Sequence, residues 1–264
     1  MLFEEEYNHY HYLIQNLIVF MKSKKAIITT SWDDGDPLDK KLSKLLLKYS
    51  IPGTFYIPVK NGNNKLLTNE NIQDLSKNFE IGGHTLNHTP LTALSEDVAK
   101  DEIMIGKEKL EEICGEIVSF AYPQGKYNDA VTQIVKKAGF RGARTAEFLR
   151  TTIDDPFVYH PTVHAYNRIL LSKGKQLIFS ADRSFSSSLM FSGTFFKTWD
   201  IIAKKSLDYV LSNGGIWHLW GQSWEIDENN HWELLDDVLE YVKKKGKECK
   251  ADFLTNGELF ESIK

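Results

Sequence analysis

The stretch "AIITTSWDDGDPLDKKLSKLLLKYS" (26–50) combines a strand pattern, two adjacent acids and a helix pattern. Its first part (26–32) is rich in β-branched residues, which are typical of a strand. Its last part (37–50) carries apolar side chains at helical spacing, namely Leu38, Leu42, Leu45 and Tyr49. Between these parts, Asp33 and Asp34 stand side by side. Adjacent acids before a glycine are often only a solvated turn, so the rest of the chain must decide whether they form a site.

The remaining chain continues this alternation of strand and helix patterns. Further helices are predicted over 69–79, 95–115, 128–140, 199–215 and 232–246. Further strands are predicted over 53–59, 80–84, 117–123, 141–146 and 216–222. The stretch 147–198 shows no clear period. Alternating β and α segments predict an α/β fold with a mostly parallel sheet, either open or closed into a barrel.

Length and composition indicate one globular unit. The chain has 264 residues, of which 42% are hydrophobic and 26% are charged, and α/β barrels of this size commonly form one domain. We therefore predict a single domain over 1–264, with 1–24 as an N-terminal helical extension that packs on it. The apolar patch at 12–20 contains Gln15 and Asn16 and is too short to span a bilayer.

Charge and cysteine content argue against several classes of function. The net charge is -4, and the basic runs at 22–25 and 243–247 are short, so nothing indicates nucleic-acid binding. Cys114 and Cys249 form no CxxC pair and no disulfide framework. The N-terminus "MLFEEEYNHY" (1–10) is acidic and lacks the basic region that begins a secretory signal. We therefore expect a cytoplasmic protein.

Polar side chains follow several of the predicted strands, where sites form in parallel α/β folds. These residues are Asp33, Asp34, His84, Tyr122, Gln222 and Glu225. His84 and His88 are four apart, a spacing that places both imidazoles on one side of a helical turn. Two imidazoles and a carboxylate are a common ligand set for a divalent metal. An isolated HxxxH can arise by chance among eight histidines, but its combination with the acid pair favours a site.

Three motifs together resemble those of a known family. The segments "TTSWDDG" (29–35), "GGHTLNH" (82–88) and "SFAYPQGKYN" (119–128), in this order, are similar to the polysaccharide deacetylase family, also called carbohydrate esterase family 4 or the NodB-homology domain. The resemblance extends from about residue 26 to the C-terminal region. It implies a distorted (β/α) barrel and a hydrolase that removes N- or O-linked acetyl groups from sugars. It also implies a divalent metal, commonly zinc, with Co²⁺, Ni²⁺ or Mn²⁺ as alternatives.

The resemblance also assigns roles to residues of this chain. Asp33 would be the general base that takes a proton from the attacking water. Asp34, His84 and His88 would hold the metal. The backbone N–H of Tyr122 would help to stabilise the oxyanion. Two adjacent acids are then needed because one is a metal ligand and its neighbour is a free base beside the same water.

The third motif departs from the family pattern. Many members carry an arginine there that pairs with the base, whereas this chain reads "FAYP" (120–123). Arg144, at the end of the next predicted strand, could supply the positive charge. A structural or surface role for Arg144 remains an equal alternative.

The general acid is the second departure. Similar sequences read "HSWE" or "HPWE" where this chain reads "QSWE" (222–225), and a glutamine cannot act as an acid. His218 lies four residues earlier, about 13 Å further down the strand at about 3.3 Å per residue. Either His218 reaches the site, or another group replaces it, or acid catalysis is weakened. His160 and His164 are candidate replacements, although a loop position or a substrate contact is the favoured interpretation for both.

The leading hypothesis is a metal-dependent deacetylase of a carbohydrate or carbohydrate precursor, acting on a carbon–nitrogen or an ester bond. The alternatives are a non-sugar amide or cyclic imide hydrolase on the same scaffold, and a catalytically weakened metal- or glycan-binding protein. Trp217, Trp220 and Trp224 could line a sugar site, but at least one of them is expected in the core. The sequence leaves the metal, the acetyl linkage and the oligomeric state open.

Overall fold

The computed structural model describes residues 25–167 and 182–263. The predicted helical extension at 1–24 lies outside these residues, and the prediction of a single domain stays a prediction. Within the described ranges, no helix has the length and apolar character that crossing a membrane requires. Cys114 and Cys249 are both free thiols, as expected.

Strands and helices alternate along the described chain. Its strands are β1 (Ala26–Asp33), β2 (Thr54–Ile57), β3 (Glu80–Gly83), β4 (Ser119–Ala121), β5 (Gly142–Arg144), β6 (Val163–His164), β7 (Gly215–Gly221) and β8 (Asp252–Phe253). Its α-helices are α1 (Asp39–Tyr49), α2 (Asn69–Ser76), α3 (Glu96–Cys114), α4 (Asp129–Lys137), α5 (Arg183–Phe191), α6 (Trp199–Asn213), α7 (Ser223–Glu228), α8 (Trp232–Glu248) and α9 (Asn256–Ser262). The predicted elements are found within a few residues of their expected bounds, and the stretch without clear period contains β6 and α5.

The strands form one parallel sheet that curls into a distorted barrel. Their order is β5-β4-β3-β2-β1-β7-β6, and β8 pairs with the beginning of β1. Tyr159 forms a parallel bridge with Arg144 at the end of β5. Four and five residues later, Val163 and His164 pair with β7. The segment 159–164 therefore joins the two sides of the sheet, and the predicted α/β barrel is confirmed.

The alternation of side chains in β1 separates an apolar face from a polar interior. Ile28 and Trp32 belong to the main hydrophobic cluster, which also contains apolar residues of the surrounding helices. Thr29, Ser31 and Asp33 point the other way, because successive side chains of a strand lie on opposite faces. All three are buried, and each hydrogen-bonds to a side chain from another element. The barrel interior therefore carries a polar network.

Local sequence signals set the helix boundaries that deliver the chain to this sheet. Asn128 precedes α4, and its side chain accepts a hydrogen bond from the N–H of Val131, as its predicted capping role requires. Ser95 occupies the N-cap position of α3, although its side chain makes no capping bond. Gly115 follows α3 with φ at 85°, a left-handed conformation that favours glycine. These residues fix where the helices begin and end, and therefore where the chain returns to the next strand.

His218 lies deep in the barrel interior. It is fully buried on β7, its Nε2 lies 2.8 Å from the Ser31 hydroxyl, and its ring stacks on Tyr159 with centroids 5.0 Å apart. Burial, followed by the charge of Arg144, holds the pKa of His218 well below its ordinary value. His218 is therefore a neutral structural residue that fills the interior between β1 and β7.

We expect His218→Ala to destabilise the protein most at mildly alkaline pH. Emptying a buried site of this kind lowers the free energy of unfolding by about 2–5 kcal/mol. Below about pH 6.5 the unfolded wild type binds a proton at His218 that the folded state refuses, so wild-type stability falls there by up to about 1.4 kcal/mol per pH unit. The variant has no histidine at this position and does not lose stability in this way. The difference in free energy of unfolding between the two proteins should therefore become smaller from about pH 8 to about pH 5. Denaturant unfolding of both proteins tests this, and a difference that does not change with pH would contradict it.

Candidate active site

The two adjacent acids point in different directions because the chain turns sharply between them. Asp33 is the last residue of β1, and Asp34 follows with φ at 79°. Gly35 then adopts φ at 63°, and a Cβ there would lie 2.8 Å from Ile57. Only glycine fits this position without displacing Ile57. The Asp-Asp-Gly turn thus sends the side chain of Asp33 into the barrel and that of Asp34 toward the loop after β3.

His84 and His88 meet in a loop rather than in a helical turn. Thr85 and His88 have φ at 69° and 54°, so the prediction of a shared helical face was wrong in its geometry. Their rings nevertheless lie 4.8 Å apart between centroids. The loop is held on α3, where Glu102 accepts hydrogen bonds from the N–H and the side-chain amide of Asn87. Left-handed turns thus replace helical periodicity as the means of bringing the two imidazoles together.

Asp34, His84 and His88 form a cluster whose ligand atoms all lie within 4.8 Å of one another. Asp34 Oδ1 lies 3.7 Å from His84 Nε2 and 3.2 Å from His88 Nε2. Nδ1 of His84 lies 2.8 Å from the carbonyl oxygen of Ala121. With the proton on Nδ1, Nε2 of His84 offers its lone pair to the cluster, as in metal-binding histidines. The arrangement fits a divalent metal held by one carboxylate and two imidazoles.

The electrostatics of this cluster favour the charged carboxylate. Burial by itself would raise the pKa of Asp34, but the hydrogen bonds from His84 and His88 outweigh it and hold that pKa well below its usual range. The indole of Trp224 also donates to Asp34, over 2.9 Å. Burial would lower the pKa of His88, but Asp34 outweighs it and raises that pKa. Asp34 is thus an ionised ligand with fixed partners.

Arg144 pairs with Asp33 inside the barrel. Its Nη2 donates to both carboxylate oxygens of Asp33, and its Nη1 donates to the carbonyl oxygen of Thr145 over 2.8 Å. The guanidinium also lies over the rings of Tyr56 and Trp220, at 5.3 and 4.8 Å from their centroids. Arg144 is 1% exposed. Of the two alternatives for Arg144, the structure therefore places it on the acid that the resemblance assigns as the base.

The expected role of the Tyr122 backbone N–H is wrong. This N–H donates to the carbonyl oxygen of Arg144 over 3.0 Å and so continues the pairing of β4 with β5. Two residues later, Gln124 has φ at 56° and lines the cleft. Among the described residues, no acceptor takes the N–H of Gln124. The free donor is therefore Gln124, and the turn-forming Pro-x-Gly spacing around it was the signal that could have identified it.

The strand register confirms the depth argument for Gln222. His218 pairs with Thr29 across β1 and β7, whereas Gly221 pairs with Trp32. Gln222 therefore follows β7 at the level of Asp33, and it lines the same cleft. His218, hydrogen-bonded to Ser31 below this level, does not reach the cleft. Its assignment as the general acid is contradicted by the structure.

Of the other two candidate histidines, His164 contacts Gln222 and Glu225, whereas His160 contacts Thr145 and lies 3.8 Å from Glu147 on another part of the cleft wall. His164 Nε2 lies 2.9 Å from Glu225 Oε2 and 3.3 Å from Gln222 Oε1. His160 instead lies 2.6 Å from the hydroxyl of Thr145. Burial, followed by the charge of Arg150, lowers the pKa of His160 to about 4. Sequence reasoning named both residues, but only the pairing of β6 with β7 shows which one meets Gln222.

A cleft of about 600 Å³ joins these groups at the carboxyl edge of the sheet. It is lined by Asp33 and Asp34, by His84 and His88, and by Gln124, Trp220, Gln222, Trp224 and Glu225. Trp220 and Trp224 thus form part of its wall. Trp217 is fully buried and donates to the carbonyl oxygen of Ala203, so it is the tryptophan expected in the core. Asp33, the cluster of Asp34, His84 and His88, and the free N–H of Gln124 share one solvent-connected space.

Sequence comparison supports the resemblance that the three motifs predict. Residues 21–143 match the family model described as polysaccharide deacetylase. A peptidoglycan-N-acetylglucosamine deacetylase from Bacillus cereus (strain ATCC 14579) is 33% identical over 122 residues, or 45% of this chain. The match spans 56% of that relative's own length. The predicted resemblance is confirmed by these matches.

Solved structures share the fold over most of the chain. A candidate polysaccharide deacetylase from Mycobacterium smegmatis has a TM-score of 0.65 at 15% identity, over 92% of this chain and 91% of its own. A family 4 acetyl xylan esterase from Clostridium thermocellum, solved with a cobalt ion, has a TM-score of 0.56 at 16% identity, over 89% of this chain and 91% of its own. At such identities the likeness establishes the fold alone.

Replacing either histidine of the cluster is expected to remove metal binding. His84→Ala and His88→Ala should each lower the affinity for Zn²⁺ or Co²⁺ by more than the roughly 10–100-fold that follows from loss of a supporting hydrogen bond, because each deletes a ligand. Calorimetric titration of the metal-free proteins measures this. His160→Ala serves as the matched control, since this histidine lies outside the cluster. Wild-type metal affinity in both cluster variants would contradict the assignment.

Proposed function

We propose that this chain, a member of the polysaccharide deacetylase family, is a metal-dependent hydrolase that removes the acetyl group from an N-acetylated sugar. One observation carries the proposal. Asp33, held by Arg144, opens into the same cleft as the cluster of Asp34, His84 and His88. A base beside a metal-ligand set is the arrangement that metal-assisted hydrolysis of an acyl group requires.

Asp33 is the base in this proposal. Its carboxylate accepts hydrogen bonds from Arg144 at both oxygens, which fixes the orientation of the carboxylate in the cleft. A water in the cleft gives its proton to Asp33 as its oxygen attacks the acetyl carbonyl carbon. A divalent metal held by Asp34, His84 and His88 would supply Lewis acidity, which polarises that carbonyl and lowers the pKa of water.

The N–H of Gln124 is the proposed donor to the developing oxyanion. It has no acceptor among the described residues, and Gln124 lines the cleft beside the cluster. A donor that is fixed before the reaction stabilises the negative oxygen without reorganisation, and loss of one such donor typically costs about 2.7–4 kcal/mol. The left-handed turn at Gln124 therefore has a functional reason.

The shape of the cleft favours a saccharide. A second cavity of about 510 Å³ shares Asp34, His88 and Trp224 with the first and adds Asn61, Asn64 and Lys65. The two adjoining cavities form an open, polar groove with Trp224 in its wall. Such a groove suits a chain of sugar rings more than a compact apolar ligand. The Bacillus cereus relative is named for N-acetylglucosamine in peptidoglycan, which supports an N-linked acetyl group on an amino sugar.

Acetate release from a panel of substrates tests the proposed function. We expect release from N-acetylglucosamine oligomers or peptidoglycan that stops on treatment with a chelator and returns with Zn²⁺ or Co²⁺. Acetylated xylan and a cyclic imide form the comparison arms. Hydrolysis of the imide alone, or acetate release that a chelator does not change, would refute the proposal.

Substitutions of the two adjacent acids should have different effects on metal content and turnover. Asp34→Asn is expected to lose metal and acetate release together. Asp33→Asn should keep its metal while turnover falls by the ~10²–10⁴-fold typical of a positioned base. Metal content and acetate release of both variants measure this difference, with thermal unfolding as the check that breaking the Asp33–Arg144 pair leaves a folded protein. Equal metal loss in the two variants would contradict the division of roles.

A further inference from the structure

The missing acid at Gln222 leaves the proposed reaction incomplete. An amine leaves a tetrahedral adduct readily only when its nitrogen is protonated, and a glutamine side chain has no proton to give. Gln222 nevertheless stands at the level of Asp33 and lines the cleft. The group that replaces an acid there must therefore lie beside Gln222.

His164 and Glu225 form a close pair at this point. His164 Nε2 lies 2.9 Å from Glu225 Oε2 and 3.3 Å from the side-chain oxygen of Gln222. His164 is only 4% exposed, so it lies behind the cleft wall. The side chain of Glu225 is 14% exposed and lines the cleft itself. The pair thus has one member in the wall and one member facing the substrate space.

Packing fixes the imidazole of His164. Its ring stacks on Trp220 with centroids 4.0 Å apart and planes inclined by 10°. The same two residues are register partners in the pairing of β6 with β7. Trp220 in turn lies 4.8 Å from the guanidinium of Arg144, which binds Asp33. A continuous row of contacts therefore connects His164 to the base on the same wall.

Packing also fixes the backbone that carries Glu225. Ser223, two residues before Glu225, is buried and donates to Asp39 over 2.6 Å. Trp224 donates to the metal-ligand candidate Asp34 over 2.9 Å. Two adjacent side chains thus tie the first turn of α7 to the start of α1 and to the turn that follows β1. Glu225 follows directly and is held at the cleft surface.

We propose that the His164–Glu225 pair supplies the proton to the leaving nitrogen and so replaces the histidine that similar sequences carry at position 222. Glu225 is the catalytic residue that delivers the proton, and His164 is the positioning residue that shares it. The inference rests on the proposed function. The side-chain oxygen of Gln222, 3.3 Å from His164 Nε2, helps to keep this nitrogen facing the cleft.

The proton inventory closes without a further reactant. When the C–N bond of the tetrahedral adduct breaks, its electron pair moves to nitrogen, which takes the proton held between His164 and Glu225. The pair is left as a neutral imidazole and a carboxylate, while Asp33 holds the proton taken from water. Solvent then accepts one proton from Asp33 and returns one to the pair, so amide and water give acetic acid and amine, which ionise to acetate and ammonium in solution.

Leaving-group dependence separates an acid from a merely structural pair. Glu225→Gln keeps the shape and a hydrogen bond to His164 but removes the proton. We expect its kcat for an N-acetylglucosamine oligomer to fall by ~10²–10⁴-fold, the effect of a positioned acid. Hydrolysis of 4-nitrophenyl acetate should fall by less than about tenfold, because that phenolate leaves without a proton. Across substituted phenyl acetates, the dependence of rate on leaving-group acidity should become steeper.

His164→Gln should change the same leaving-group dependence as Glu225→Gln. His160→Gln is the matched control, since this histidine lies on the same segment but contacts Thr145 and Glu147 rather than Gln222 and Glu225, and it should leave the leaving-group dependence unchanged. All variants should have equal metal content. NMR of the histidine rings in the metal-free wild type should show a proton on His164 Nε2. Adding Gln222→His to Glu225→Gln should restore part of the turnover on the N-acetyl substrate.

The outcomes distinguish this inference from the proposed function. If wild type releases no acetate from any N-acetyl sugar, the proposed function fails, and the inference fails with it. If wild type is active but Glu225→Gln loses both substrates equally, the pair is structural and the inference is overturned. Undiminished turnover of Glu225→Gln on the N-acetyl substrate would place the proton donor elsewhere. A double variant with full metal and no recovery would contradict the position of the leaving group beside residue 222.

Discussion

The buried ion pair between Asp33 and Arg144 is the constraint on which the rest of the site depends. Asp33 ends β1 and Arg144 ends β5, and three strands separate these two in the sheet. Their side chains can meet only if the sheet curls, so the pair and the barrel require each other. Burying two charges is costly unless their geometry and hydrogen bonds are complete. The carbonyl of Thr145 and the faces of Tyr56 and Trp220 also contact the guanidinium, while its buried Nε has no hydrogen-bond partner among the described residues.

The barrel interior deeper than the Asp33–Arg144 pair is also polar, and its side chains are hydrogen-bonded to one another. Thr29 donates to Asn256, whose amide donates to the hydroxyl of Tyr56, and Ser31 meets His218. Buried polar groups must be paired, and a satisfied network specifies one arrangement of the strands around it. This network supports Asp33 from beneath without placing a second charge beside it. The result is a fixed base above a neutral floor.

Two walls of the cleft carry different parts of the chemistry. The loop after β3 brings His84 and His88 to Asp34, while the ends of β6 and β7 bring His164 and Gln222 to the opposite side of the base. The segment "QSWE" (222–225) connects these walls, since Trp224 binds Asp34 and Glu225 binds His164. In the proposed reaction, the role of a histidine at position 222 thus passes to residues of β6 and α7 rather than to a deeper residue of β7.

Periodicity and short motifs are local properties, so they predict the alternation of elements, the α/β class and the residues of the metal-ligand cluster. The depth of Gln222 also followed from counting along two parallel strands. The folded chain is needed to see that Arg144 pairs with Asp33, that Gln124 rather than Tyr122 has a free N–H, and that His164 meets Glu225. These facts depend on which strands are neighbours, on left-handed turns and on which hydrogen bonds the sheet has already used. His164 and Glu225 are 61 positions apart in the sequence, and Asp33 and Arg144 are 111 positions apart. No local sequence pattern can indicate contacts over such separations.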